Sequence, residues 1–148
     1  MRRHPVLQDL SRDHHNVLVH ARRLRGLDAR VDAATARRRF LQYAEAVLLH
    51  HFAEEETVLG PLVDAALRER LVREHADLRT HIAGLPAADD AEQRALGEAL
   101  RLHVRFEEDV LFEALQLLEK TQLVALGNQL KSFRHEVRPA GDAESCFL

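Results

Sequence analysis

The sequence holds one cysteine, Cys146, and no tryptophan. A single thiol excludes an internal disulfide framework and a multi-cysteine zinc site. Aromatic residues make up only 5% of the chain, so few large rings are available to its core. Basic charge is not in excess: 21 lysines and arginines stand against 24 aspartates and glutamates, a formal net charge of −3. General phosphate-backbone binding needs such an excess, so no nucleic-acid partner is expected. No apolar run approaches the roughly 20 residues that span a bilayer, so no membrane partner is expected either. The opening Met1-Arg2-Arg3-His4-Pro5 leads into no apolar signal-peptide core, and a cytoplasmic location is the expectation. No phosphate loop, nucleophile triad or cysteine pair competes for an enzyme assignment.

What remains is a chain of 148 residues, one domain's worth, with 46% hydrophobic and 30% charged residues. Long β-branched runs are missing, and Ala, Leu, Arg and Glu dominate between a few glycine and proline stops, so the class is all-α. The stops predict helices over about 6–25, 33–59, 64–84 and 91–119, then a short fifth over about 121–134. Pro5 suits a first turn and Gly26 a stop. Asp32 caps the second helix, Gly60-Pro61 ends or kinks it, and Asp89 or Asp90 caps the fourth. Loops of roughly five to seven residues make neighbouring helices antiparallel. The expected architecture is an up-down-up-down four-helix bundle with a short C-terminal fifth helix. Residues 1–135 form the expected domain and 136–148 a tail.

The informative abundance is histidine, ten in all. Several belong to an internal repeat. Leu10-Ser-Arg-Asp-His14 reads against Leu71-Val-Arg-Glu-His75, the pattern Leu-x-Arg-acid-His in both. His51-Phe-Ala-Glu-Glu55-Glu56-Thr-Val58-Leu59 reads against His103-Val-Arg-Phe-Glu107-Glu108-Asp-Val110-Leu111, the pattern His-x-x-x-Glu-Glu-x-Val-Leu. The repeat chooses between adjacent histidines: His14 rather than His15 matches His75, and His51 rather than His50 matches His103. His20 matches His81 in the same register, which suggests equivalent packing in the two halves. His15, His50 and His20 are expected at the surface or just outside the site, and Tyr43 in the core.

Residues four apart on a helix share one face, so His-x-x-x-Glu offers an imidazole and a carboxylate to one inward point. Two such helices and two further histidines give six candidate ligands: His14, His51, Glu55, His75, His103 and Glu107. Without a cation, burying the two carboxylates would cost many kcal/mol or force their protonation. Mixed imidazole and carboxylate ligation without thiolate suits non-haem iron first, and manganese or zinc after it. Six protein ligands leave open positions for a bridging oxygen and a small exogenous ligand. The order His-x-x-x-Glu differs from the Glu-x-x-His of ferritin-type bundles, which argues against iron storage.

Over residues 6–119 the strings Asp13-His14, His51-Phe-Ala-Glu-Glu55-Glu, Glu74-His75 and His103-Val-Arg-Phe-Glu107-Glu resemble the hemerythrin-like (HHE cation-binding) domain family. The resemblance implies a four-helix bundle with two non-haem iron ions and a bridging oxo or hydroxo group. His14 and His51 would bind one iron, His75 and His103 the other, and Glu55 and Glu107 would bridge them. It implies binding of O2 or a related small ligand, peroxide or nitric oxide, for sensing, redox or stress response. An oxidoreductase that reduces peroxide or oxidises iron, and a purely structural cation-binding bundle, are the alternatives. A protein partner or a homodimer would carry any signal. Oxygen carriers of this family have a further histidine where this chain has Arg79, and Asp where it has Glu107. The implied site is more open than a carrier's, and its iron is expected to oxidise faster. Arg79 either reaches outward past the vacant turn or lends its charge to a bound anion.

Overall fold

The computed structural model describes the backbone of residues 2–137 and the side chains as far as Arg134. The described residues are helical, with no strand among them. Helix α1 is Pro5–Leu24. Its proline takes the first turn, and the His4 ring accepts the Val6 N–H at 3.1 Å, so this histidine is the N-cap. Gly26 ends the helix in the left-handed region, φ 73°, where a residue without Cβ is at ease. Helix α2 runs through residues 33–59, and Asp32 caps it by accepting the Thr35 N–H at 2.7 Å. A 3₁₀ turn over Gly60–Leu62 closes it. Helix α3 is Ala65–Gly84, capped by Asp64. Helix α4 runs through residues 90–115 from a reciprocal capping box between Asp89 and Glu92. Helix α5 is Lys120–Val137. The fourth helix thus stops four residues before its expected end, because residues 116–119 form a turn. Cys146 and the Phe147-Leu148 end lie outside the described residues.

Two of these helices depart from the 3.6-residue period. In α2 the segments Ala44–Leu48 and Glu55–Leu59 are π-helical, and in α4 so is Glu107–Leu111. The Gly60 N–H donates to the Glu55 carbonyl and the Phe112 N–H to the Glu107 carbonyl, five residues back in each case. Two of the three π turns open at a predicted bridging glutamate, and such turns are frequent at functional sites.

Helix α1 packs on α2, α4 and α5, α3 on α4 and the end of α2, and α5 also on the C-terminal half of α2. The buried side chains form two apolar clusters. One is built around Val17, Leu24, Phe40, Tyr43, Phe52, Leu78, Leu96 and Leu100, and the other around Leu7, Leu10, Leu59, Leu71, Phe112, Leu123, Leu126 and Leu130. Along the chain each of the first four helices meets both clusters, with its predicted ligands at or near the changeover. Helices α1 and α3 meet the second cluster first, and α2 and α4 meet it last. No helix among the described residues is long and apolar enough to cross a membrane.

His20 and His81 do not share an environment. His81 is exposed, whereas His20 is 1% exposed, stacked on Tyr43 at 4.5 Å and edge-on to Phe40. His20 is therefore a core residue and not a surface one. Tyr43 is core, as expected. Burial, together with the positive charges of Arg23 and Arg39, pushes the His20 pKa down to about 4. The fold thus holds this ring neutral, while the unfolded chain protonates it below about pH 6.5. Stability from this group is complete above that pH and is lost on acidification toward pH 4, at about 1.4 kcal/mol per pH unit. A His20→Leu variant is expected to lose less denaturant resistance than the parent between pH 7 and pH 5. Equal losses would refute this account.

Helices α1 and α4 approach closely at Gly97. A Cβ there would lie 2.7 Å from the Ala21 carbonyl oxygen and 3.2 Å from the Leu24 Cβ. Alanine would gain about 1 kcal/mol of helix propensity, but overpacking against backbone costs about 1–3 kcal/mol. Gly97→Ala is expected to lower the thermal midpoint, and a raised midpoint would refute the close-approach argument.

Candidate metal centre

The six predicted ligands come from four helices and meet in the polar layer between the apolar clusters. Glu55 and His75 are fully buried, and Glu107, His14, His51 and His103 are 1–5% exposed. His15 and His50, their sequence neighbours, are exposed. Two groups of four residues each bring one ligand atom per residue within 4.8 Å of the others. The first is His14, His51, Glu55 and Glu107, and the second is Glu55, His75, His103 and Glu107. The two glutamates are common to both.

All four imidazoles turn Nε2 toward the glutamates. His14 Nε2 lies 3.0 Å from Glu107, His75 Nε2 3.3 Å from Glu55, and His51 Nε2 3.5 Å from Glu55. His103 Nε2 contacts Glu107, and the His75 and His103 Nε2 atoms are 3.2 Å apart. The i,i+4 spacing does this for His51–Glu55 and His103–Glu107. Phe52 stacks on His75 at 4.3 Å and Phe112 on His14 at 5.3 Å, which closes the layer against water.

The Nδ1 edges face outward, and each meets a carboxylate. His103 hydrogen-bonds Glu74 at 2.8 Å, His75 faces Glu56 at 3.3 Å, and His14 faces Glu108 at 3.7 Å. His51 faces two, Asp13 at 3.5 Å and Glu54 at 3.6 Å. Behind each carboxylate stands an arginine: Arg70 on Glu74, Arg79 on Glu56, Arg3 on Glu108, and Arg134 on both Asp13 and Glu54. This outer ring was unassigned in the sequence, yet four of its acids lie inside the repeat. The acid before each first histidine supports the second histidine of its own half. The second glutamate of each His-x-x-x-Glu-Glu supports the first histidine of the other half. Arg79 reaches outward, its side chain 39% exposed, and does not lend its charge to the inner face. It is tied to Glu56 at 2.5 Å and so acts on His75 from behind.

Charge in this layer is poorly matched by protein groups alone. Both oxygens of Glu55, Oε1 of Glu107 and Nε2 of His51 are buried without a hydrogen-bond partner. Burial and the neighbouring Glu107 push the Glu55 carboxyl well above its usual range. Burial also opposes the charge of Glu107, but the imidazoles of His103 and His14 overcome it and hold that carboxyl well below. Burial opposes protonation of His14 and His103 too, and their carboxylate neighbours outweigh it, raising both to about 9. Nitrogen and oxygen ligands held at about 2.1 Å by one ion lie roughly 3–4 Å apart. The distances and the orphaned lone pairs therefore fit divalent cations, and the donor set contains no thiolate.

Helical segments that converge buried imidazole and carboxylate donors define a metal-binding helical protein. The family model of the hemerythrin HHE cation-binding domain matches residues 6–115, and the chain belongs to that family. No curated protein and no solved structure matches it.

The outer carboxylates should matter nearly as much as the inner ligands, since they fix the ring orientation and raise ligand basicity. Glu74→Ala leaves His103 Nδ1 without its acceptor, and is expected to weaken cation binding about 10–100-fold in chelator competition. Unchanged affinity would show that the ring is held by packing alone.

Proposed function

We propose that this layer holds a non-haem di-iron centre that binds O2 or a related small ligand, peroxide or nitric oxide, in a sensing, redox or stress role. The observation that carries the reading is the pair of four-residue groups sharing Glu55 and Glu107. His14 and His51 take one iron, His75 and His103 the other, and the two glutamates bridge them. Nitrogen and oxygen donors without thiolate favour iron, with manganese or zinc as its competitors. The alternating order in which the first four helices meet the two apolar clusters supports an up-down-up-down bundle around the centre.

Reduced iron supplies the electrons for ligand binding. The chain's own residues set the rest. Four imidazoles and two bidentate carboxylates offer eight donor atoms, short of the roughly twelve that two octahedral ions take. The shortfall leaves room for an oxygen bridge and an exogenous ligand. Phe52 and Phe112 keep bulk water from the imidazoles they cover. Glu74 accepts the Nδ1 proton of His103, and the other outer carboxylates stand 3.3–3.7 Å from the Nδ1 edges of His14, His51 and His75, which favours Nε2 as the inward donor. A groove of about 570 Å³ between α3 and α4, lined by Glu74, His81, Leu102 and Phe106, reaches His103 from solvent. The larger groove, about 690 Å³ beside Arg37 and Gln93, touches none of the six residues.

The deciding measurement is elemental analysis of untagged protein produced with iron and purified without chelator. About two irons per chain are expected, falling to one or fewer in Glu55→Ala. Oxygen, peroxide or nitric oxide should then change the visible spectrum of the reduced protein. One zinc, or no metal in a folded chain, would overturn the reading. Sustained peroxide turnover would move it to an oxidoreductase.

A further inference from the structure

Among the positions at which the two halves of the centre differ, one changes the charge beside a predicted ligand. Three residues after His51 stands Glu54, and three residues after His103 stands Phe106. Phe106 carries the Arg70 guanidinium over its ring at 4.0 Å. Glu54 is 1% exposed and is paired by Arg134, whose Nε donates to it at 3.0 Å and whose Nη2 donates to Asp13 at 2.5 Å. The carboxylates at the Nδ1 edges of His14 and His51 are thus Glu108, Asp13 and Glu54, with Arg3 and Arg134 behind them. Those at His75 and His103 are Glu56 and Glu74, with Arg79 and Arg70 behind them. The first position has one carboxylate in excess of the second, and that carboxylate is buried.

Arg134 lies on α5, beyond the residues 6–115 that the family model matches. Helix α5 is seated independently of it by Leu123, Leu126 and Leu130 in the second apolar cluster. Two buried carboxylates side by side repel each other and turn apart unless a cation joins them. Arg134 is that cation, and its planar fork fits two acceptors at once. Carboxylates held on the outer edge of a ligating imidazole make it the better donor. Excess negative charge beside the position also favours a cation.

We propose that Arg134 is a positioning residue of the metal centre: by holding Asp13 and Glu54 on the outer edge of His51, it makes the His14/His51 position the tighter of the two. The inference rests on the two-cation reading above. Helix α5 is then part of the centre and not an appendage to the bundle.

The test is titration of cobalt(II) into metal-free protein against a competing chelator. Helix content is followed by circular dichroism. The parent is expected to bind in two steps separated by more than about tenfold. Arg134→Met should weaken the tighter step about tenfold or more and leave the weaker one in place, and Arg134→Lys should fall between. Glu54→Phe, which removes the carboxylate in excess and leaves Arg134 on Asp13, copies the second half, where Arg70 serves Glu74 and lies over Phe106. It should fold even if Arg134→Met does not, and should bring the two steps within about threefold of each other. Coincident steps in the parent would overturn the inference. So would a loss in Arg134→Met that is equal at both steps, or confined to thermal stability. A parent that binds no cobalt at all would instead overturn the two-cation reading itself.

Discussion

The whole structure depends on burying two carboxylates and four imidazoles in one layer between two apolar clusters. Such a layer is stable only if every lone pair and every proton in it has a destination. The inward lone pairs converge in groups suited to a cation. The outward imidazole edges face carboxylates, and those carboxylates pair with arginines nearer the surface. The order from centre to solvent repeats around the layer: shared glutamate, imidazole, outer acid, guanidinium. Each step moves charge toward water, so the polar centre can sit inside a bundle with few aromatic residues to shield it.

Much of this was legible in the sequence. The helix stops gave the first four helices to within a few residues, apart from the end of α4. The repeat picked His14 over His15 and His51 over His50, and the structure buries the chosen member of each pair. Helical periodicity failed at the π turns, because an i+5 bond over one turn leaves no mark on residue spacing. The repeat misled at His20 and His81. Equivalent register carried no information about which neighbours would cover each ring, and only His20 found Phe40 and Tyr43. The outer acids were visible as motif letters without a role. Their arginines fall outside the repeat, at positions 3, 70, 79 and 134; Arg70 stands one helical turn before Glu74, and only three-dimensional proximity assigns the other three.

Arg79 shows how one substitution within a family pattern can be absorbed. A histidine in its place would offer the centre another donor. The arginine instead turns outward to Glu56 and lies over the Phe52 ring at 5.6 Å. It thereby braces His75 from two sides, through the acid at its Nδ1 edge and the ring stacked on its face. The imidazole keeps its orientation without a donor from that turn.

The crossed support between halves bears on how the protein reaches its native state. Glu56 of the first half serves His75 of the second, and Glu108 of the second half serves His14 of the first. The inner contact between His14 and Glu107 closes a separation of 93 residues. Contacts so distant along the chain form late, after loop-closure entropy has been overcome. A growing polypeptide that has made α1, α2 and α3 still lacks His103, Glu107 and Glu108. Neither four-residue group is complete until the π turn of α4 that opens at Glu107 has been synthesised and docked. Completion of this layer therefore falls at the end of folding, and truncated or half-folded chains lack the donor set that would hold a cation.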